Sequence, residues 1–390
     1  MTTSTETQLN GSNDESLSYA LQVANSLVLS MSKHTAFQLD VFEIIAKVGP
    51  DAKLSSKEIV ARLPTKNPEA PSMVDRILRV LASYEIVGCS ITNDEKDDPR
   101  RLYSLTPVCK FFVRNEDGVS LGPLMTLLQD KIFIDSWSQL KDAIMEGGVP
   151  FDRVHGMHSF EYPGKDPSFN QVFNTAMINH TTLVLKSILH SYNGFEHIGC
   201  LVDVAGGVGV TLGFITSKYP SIKGINFDLP YVIQHAPAYP GNISSSLVFC
   251  YGKLDDRKIF VFHLMSEYYI CMTTGVEHVG GDMFESVPKG DAIFMKVRSD
   301  DHCVKLLKNC YNAIPEKGKV IVVDAVVPTV PEANAYSKGV TQMDVLMMTQ
   351  NTGGKERTKQ EFEALASKAG FSGIRYECFV CNLSVMEFFK

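Results

Sequence analysis

The chain reads as a doubly wound α/β protein preceded by a smaller helical unit, on three observations. From residue 200 onward, short apolar strands alternate with amphipathic helices. A glycine-rich turn follows the first of those strands. Residues before about 120 show helical apolar spacing instead. Length agrees, since 390 residues exceed one average domain but are few for three. With 44% hydrophobic and 21% charged residues, a sizeable core is available, and disordered, collagenous and coiled-coil classes are excluded. Net charge is −7, from 37 Lys and Arg against 44 Asp and Glu, so the basic footprint of a DNA or RNA binder is lacking.

The opening MTTSTETQLNGSNDESLS is polar, without the basic and apolar regions of a signal peptide. No apolar run approaches the roughly 18 residues of a membrane helix, so a cytoplasmic protein without membrane contact is expected. The nine cysteines, an odd number, suit reduced thiols. The one CxxC, Cys378 to Cys381, reads as two core thiols on a C-terminal strand, and no metal site is expected.

Residues 17 to 120 read mainly as helices, beginning with SLSYALQVANSLVLSMSKHTAFQLDVFEIIAKV, where apolar side chains recur at three and four. LSSKEIVARL opens with the Ser and Glu of a capping box, and APSMVDRILRVLASYEIV follows. RLYSLTPVCKFFV alternates like a short strand pair. Helices with a small wing make a winged-helix-like unit, placed at 1–118. Acidic residues dilute the basic ones on its helices, so its apolar surface is assigned to dimer formation.

A second domain is placed at 119–390. After a helical stretch to about 195, CLVDVAGG, IKGINFD, VEHVGGDMF, GDAIFMKV and GKVIVVDAVVP read as successive strands. VTLGFITSKYPS, DDHCVKLLKNCYNAI and TKQEFEALASKAGF read as helices, and SGIRYECFV and LSVMEFFK as two closing strands. This order demands a largely parallel sheet.

Ligands of such sheets sit beyond the carboxyl ends of the strands, where strand order reverses. Asp203 to Gly209, DVAGGVG, is the turn at the first strand's exit, and its glycines let a ligand approach the backbone. Asp228 ends the second strand 19 residues after Gly209, where a carboxylate can accept from ribose hydroxyls. Asp282 could accept from an adenine amino group while Met283 packs on the ring, and Lys296 ends the fourth strand. With no basic residue beside Asp228 and no GxGxxG spacing, S-adenosylmethionine is favoured over a nicotinamide dinucleotide, which stays as the alternative.

Several segments, SKYPSIKGINFDLPYVI, VEHVGGDMFESVPKGDAIFMK, LLKNCYNAIPEKGKVIV, GGKERTKQEFEALASKAGF and the terminal VMEFFK, resemble the plant class II small-molecule methyltransferases typified by caffeate O-methyltransferase. FDRVHGMHSFEY, MDVLMMTQNTGG and CFVCNLSVMEFFK are especially similar to anthranilate N-methyltransferase of the same group. The resemblance implies a Rossmann-like S-adenosylmethionine-dependent methyltransferase sheet, a homodimer, and methyl transfer to a hydroxyl or amine of a small aromatic substrate. By position it implies Ala205, Gly206, Gly207, Asp228, Asp282, Met283 and Lys296 as cofactor residues. Ala205 stands where the family has Gly. The implied acceptor slot is lined by Leu127, Phe133, Phe169, Phe173, Met177, His180, Leu346, Met347 and Asn351.

Two departures stand out. The family carries its general base, a His, a few residues after the fourth-strand Lys. Here the segment runs Lys296-Val297-Arg298-Ser299-Asp300-Asp301-His302-Cys303, four residues shorter and without that His. His302 matches a different family His, on the following helix. The supporting carboxylates persist as Asp324 and Glu356. Weakened activity is therefore expected, with a cofactor-binding paralogue acting as a dimer partner as the alternative. Asn242 to Gly275 is an extra stretch of 34 residues, including six aromatics and the run Ile259 to Met265. Its composition is unlike an exposed loop and its length is that of an in-frame retained intron, with a new lid or partner-binding loop as the alternative.

Overall fold

The computed structural model describes residues 4–92, 100–234, 236, 275–296 and 300–390, with the side chains of 4–13 and 300–302 outside the description. The extra stretch, apart from Gly275, therefore lies outside the described residues. The chain divides into two compact units, one ending at Gln129 and one from Asp130 to Lys390.

In the first unit, helices α1 (Ser4–Ala24), α2 (Ser26–Gln38), α3 (Val41–Val48), α4 (Ser56–Val60) and α5 (Ala70–Ser83) precede a two-stranded wing. α5 begins with Pro71 in its first turn, where a missing N–H costs nothing, and buries Val74, Leu78 and Leu81 on one face. These meet Phe42 and Ile45 of α3 and Ile59 of α4 in one core. The expected capping box is present: Ser55 accepts from the Glu58 backbone N–H, and the Glu58 carboxylate accepts from that of Ser55. The wing pairs β1 (Val87–Ile91) with β2 (Arg101–Leu105), antiparallel. Tyr103 at its centre is fully buried and donates its hydroxyl to Asp75 at 2.7 Å.

The wing differs from the expected pairing within RLYSLTPVCKFFV. Only RLYSL is a strand, its partner lies upstream, and Cys109–Phe112 form a 3-10 turn. Thr106 explains the turn, donating to the Ile86 carbonyl at 2.6 Å and accepting from the Cys109 N–H, while Pro107 has no N–H to offer a ladder. Helix α6 (Gly122–Leu128) packs so closely on α2 that a Cβ on Gly122 would fall 1.9 Å from the Phe37 ring. It thereby belongs to the first unit, which ends eleven residues later than position 118.

The second unit holds α7 (Lys131–Ser136), α8 (Leu140–Glu146), α9 (Pro150–His155), α10 (Tyr162–Lys165) and the long α11 (Pro167–Ser191), then a seven-stranded sheet. Its strands are β3 (Cys200–Val204), β4 (Lys223–Asp228), β5 (Val276–Gly280), β6 (Ala292–Met295), β7 (Lys319–Asp324), β8 (Gly373–Val380) and β9 (Leu383–Phe389). They lie in the order β5-β4-β3-β6-β7-β9-β8, parallel except for β9 and β8. Strand order reverses between β3 and β6, which makes the exit of β3 the ligand position of a doubly wound sheet.

The two faces follow strand alternation. Val202, Val204, Ile293, Val320 and Val322 pack under α14 (Asp300–Ala313) and α16 (Lys359–Ala369). Leu201, Phe294, Ile321 and Val323 pack under α11 and α12 (Val210–Lys218). Helix α13 (Pro230–Ile233) follows β4, and α15 (Ala335–Gln350) follows β7.

The CxxC is not a pair of core thiols. Cys378 is half-buried on β8, whereas Cys381 is exposed, with φ 52° beside Asn382 at 61°, in the two-residue turn to β9. Two left-handed residues in succession are what such a hairpin requires. All described cysteines are free thiols. Among the described residues there is no cluster of metal ligands, and no helix is long and apolar enough to cross a membrane.

Candidate active site

The turn after β3 is built on left-handed backbone, which favours glycine. Ala205, Gly207 and Gly209 have φ of 57°, 59° and 85°. Gly209 caps the N-terminus of α12. A Cβ on Gly206 would lie 2.2 Å from Asn226 Oδ1 and 2.5 Å from Asp203 Oδ2, so only glycine fits. Ala205 is thus an L-residue in left-handed backbone, strained by about 1–2 kcal/mol, and it is exposed.

Asp228 reaches this turn from the end of β4. Its Oδ2 accepts from the Gly207 N–H at 2.8 Å and its Oδ1 from the Leu229 N–H at 2.7 Å. A carboxylate has about four lone-pair sites, so half of them stay available to a vicinal diol. The next exit is tied alongside, since Asp228 pairs with Gly280 and its carbonyl accepts from the Gly281 N–H at 3.0 Å. Asp282 and Met283 lie just past β5, in the turn rather than at the strand end. Asp282 is exposed and caps the Phe284 N–H at 2.8 Å, and Met283 packs on the sheet core. Lys296 follows β6, half-buried, close enough to lower the pKa of Asp203 by charge. The cofactor residues expected from the sequence therefore converge at the exits of four adjacent strands.

The aromatic residues gather among the helices of the same unit. Phe133 on α7 lies 5.6 Å, ring centre to ring centre, from Phe169 on α11, which lies 6.3 Å from Phe173. Asp166 caps α11 by accepting from the Ser168 and Phe169 N–H groups, which fixes the register that lines up Phe169, Phe173, Met177 and His180 along one helix. Helix α15 packs on α7 and α9, bringing Leu346, Met347 and, at its C-cap, Asn351. Asn351 accepts from the Ser159 hydroxyl at 2.8 Å. Leu127 lies on α6, in the first unit.

Asp324 and Glu356 sit on neighbouring segments. Val326 and Arg357 form a parallel bridge, and the Val327 N–H donates to the Arg357 carbonyl at 2.8 Å. Both carboxylates are buried. Asp324 accepts from the Ala325 N–H, and the Glu356 N–H donates to Asp344 at 2.8 Å. Burial, and then the charge of Glu356, raises the pKa of the Tyr336 hydroxyl, which donates to the Val326 carbonyl. The side chain of His302, on the first turn of α14, lies outside the described residues.

Sequence reasoning missed three polar residues beneath the turn, Asp203, Asn226 and His278, and three contributors to the aromatic cluster, Phe151, Tyr162 and Ser159. A signal for Asp203 was present, since it is the one polar side chain besides Cys200 in the strand CLVDV; His278 stands beside Glu277 and Asn226 between Lys223 and Asp228, which hides them.

The profile of the O-methyltransferase dimerisation domain matches residues 21–115, and that of the O-methyltransferase domain matches 137–261 and 261–372. The second match breaks inside the extra stretch. The chain is 54% identical to catechol O-methyltransferase 1 of Solanum lycopersicum, over 97% of this chain and 96% of that one. It is 50% identical to caffeic acid 3-O-methyltransferase 1 of Populus tremuloides, over the same shares. In fold it is similar to human N-acetylserotonin methyltransferase in complex with SAM, at TM-score 0.71 and 17% identity over 96% of this chain and 97% of that one. It is equally similar to CalO1, a methyltransferase in calicheamicin biosynthesis in its SAH-bound form, at TM-score 0.71 and 21% identity over 96% and 98%.

Proposed function

Because the chain belongs to the O-methyltransferase family, we propose that it transfers a methyl group from S-adenosylmethionine to a hydroxyl or amine of a small aromatic plant metabolite. One observation carries this reading: a turn with no room for a Cβ at Gly206, beside an Asp228 carboxylate that keeps acceptor capacity after two backbone N–H groups are served. When bound, the cofactor supplies an electrophilic sulfonium methyl. Asp228 accepts from the ribose hydroxyls and Asp282 from the adenine amino group, Met283 packs on the base, and Ala205, Gly206, Gly207 and Lys296 line the rest.

The acceptor belongs among the rings of Phe133, Phe169 and Phe173, with Met177, His180, Leu346, Met347 and Asn351 beside them. A phenol of pKa about 10 attacks poorly until its proton is removed. Asp324 and Glu356 could orient a base, but the segment from Lys296 to Cys303 lacks the His that resemblance places there. Loss of a general base slows such a step by roughly 10² to 10⁴. An arylamine presents its lone pair without deprotonation, so amines such as anthranilate, or already ionised hydroxyls, are the favoured acceptors.

The enzyme works as a homodimer in the cytoplasm. Leu21, Leu27, Val28 and Met31, in the region matched by the dimerisation domain, are exposed in the single chain, and free thiols suit a reducing compartment. The same apolar face and the missing His favour a second reading, a weakly active subunit that pairs with active relatives.

Product analysis with labelled S-adenosylmethionine against anthranilate, catechol and caffeate tests the proposal. Methylated amine is expected to exceed methylated hydroxyl. A brisk rate on caffeate would refute the amine preference, and no product with intact cofactor binding would favour the partner reading.

A further inference from the structure

Asp203, Asn226 and His278 form one cross-strand row. Asp203 pairs in register with Asn226 across β3 and β4, and Asn226 with His278 across β4 and β5. Because register neighbours in a parallel sheet point to the same face, three polar side chains stand in one row across β3, β4 and β5. Asn226 is fully buried. Its Nδ2 donates to the Gly207 carbonyl at 2.8 Å and contacts His278 Nδ1 at 3.0 Å. The Gly207 carbonyl can only accept, so it holds Nδ2 on its side and leaves Oδ1 on the side of Asp203.

There the accounting fails for an ionised carboxylate. Asp203 is 3% exposed, and among the described residues neither its Oδ2 nor Asn226 Oδ1 has a hydrogen-bond partner. Both oxygens crowd the point where a Cβ on Gly206 would stand, at 2.5 Å and 2.2 Å, so they are separated by no more than those two distances combined. Two buried, unpartnered acceptors crowded round one point without a hydrogen to share are costly. The carboxyl of Asp203 is the one group of the pair that can carry the missing proton. We propose that Asp203 is a neutral carboxylic acid whose O–H donates to Asn226 Oδ1, so that Asp203, acting through Asn226, holds the Gly207 carbonyl and with it the turn.

The surrounding charges agree. Burial, and then the Asp228 charge, push the Asp203 carboxyl up to about 8, against the opposing pull of Lys296. His278 is the remaining titratable neighbour in the row, reached only through Asn226. Asp203 is a positioning residue. The turn keeps its full carboxylate charge on Asp228 alone, which frees that group to serve the diol while the acid beneath it is spent on structure. The functional arm below rests on the S-adenosylmethionine reading, and the other two arms do not.

Infrared difference spectroscopy of the full chain at about pH 6, wild type minus Asp203→Asn, is expected to show a protonated-carboxyl C=O band. Thermal melts give the second arm. A native carboxyl that keeps its proton while the unfolded one has lost it makes wild-type stability fall as pH rises from about 4 to about 8, a slope the Asp203→Asn variant loses. In calorimetry with S-adenosylhomocysteine, Asp203→Ala should bind about tenfold more weakly, and Asp203→Asn, whose amide can also donate to Asn226, should recover most of that loss. Absence of the band, an unchanged slope, or an Asn variant as weak as Ala overturns the proposal. Should wild type not bind S-adenosylhomocysteine at all, the cofactor reading falls while the band and slope still decide the state of Asp203.

Discussion

Two carboxylates lie buried on the same face of one sheet, and they are treated in opposite ways. Glu387 on β9, 4% exposed, accepts from Lys319, Arg375 and the Tyr192 hydroxyl. Burial pushes its pKa up, but hydrogen bonds from Lys319 and Tyr192 outweigh that and leave it below the usual carboxylate range. Asp203 on β3, 3% exposed, is pushed up to about 8 by burial first and then by the charge of Asp228, with no cation or hydroxyl bonded to it to offset them among the described residues. Burial alone therefore does not decide ionisation. Donors do. At the antiparallel end the chain surrounds its acid with cations and ties β7, β8, β9 and α11 together. Under the glycine turn the described residues supply an amide and the charge of Lys296.

The contrast can be broken from either side. The largest effect is expected from Glu387→Ala, which leaves the Lys319 ammonium and Tyr192 hydroxyl without their buried acceptor. Stability should drop by about 3 kcal/mol, read by urea denaturation, with little change in cofactor affinity. Glu387→Gln sharpens the same point by pH. The depressed native pKa contributes stability above the unfolded value of about 4.3 and loses it as pH falls through the native value. The Gln variant should be less stable at neutral pH and should lose that acid-side slope.

Gly206→Ala comes next. A methyl 2.2 Å from Asn226 Oδ1 must displace the row, at a cost of about 1–3 kcal/mol, and abolish measurable S-adenosylhomocysteine binding. An alanine variant that binds normally would show that the turn is looser than its packing. The smallest effect is a gain. Ala205→Gly relieves left-handed strain and should raise stability by about 0.5–1 kcal/mol.

The sheet was legible because its strands are short apolar runs separated by clear helix periods, and Gly206, Gly207 and Asp228 were legible because glycine and carboxylate stand at strand exits. What escaped was polar chemistry inside strands. Asn226 sits in GINFD and reads as a mere interruption until strand register places it between Asp203 and His278. Register is a long-range property that no local pattern encodes. The wing failed for a similar reason: alternation in TPVCKFFV looked like a strand, but the Thr106 side chain captured the backbone first.

The central claim is that Asp228 grips the sugar of an adenosyl cofactor at the exit of β4. Isothermal titration of the full chain with S-adenosylhomocysteine, beside Asp228→Ala and with NAD as the competing ligand, tests it directly. Saturable binding to wild type, at least tenfold weaker in the variant and with no heat from NAD, is the predicted result. Equal affinity in wild type and variant, or binding of NAD in place of S-adenosylhomocysteine, would contradict it.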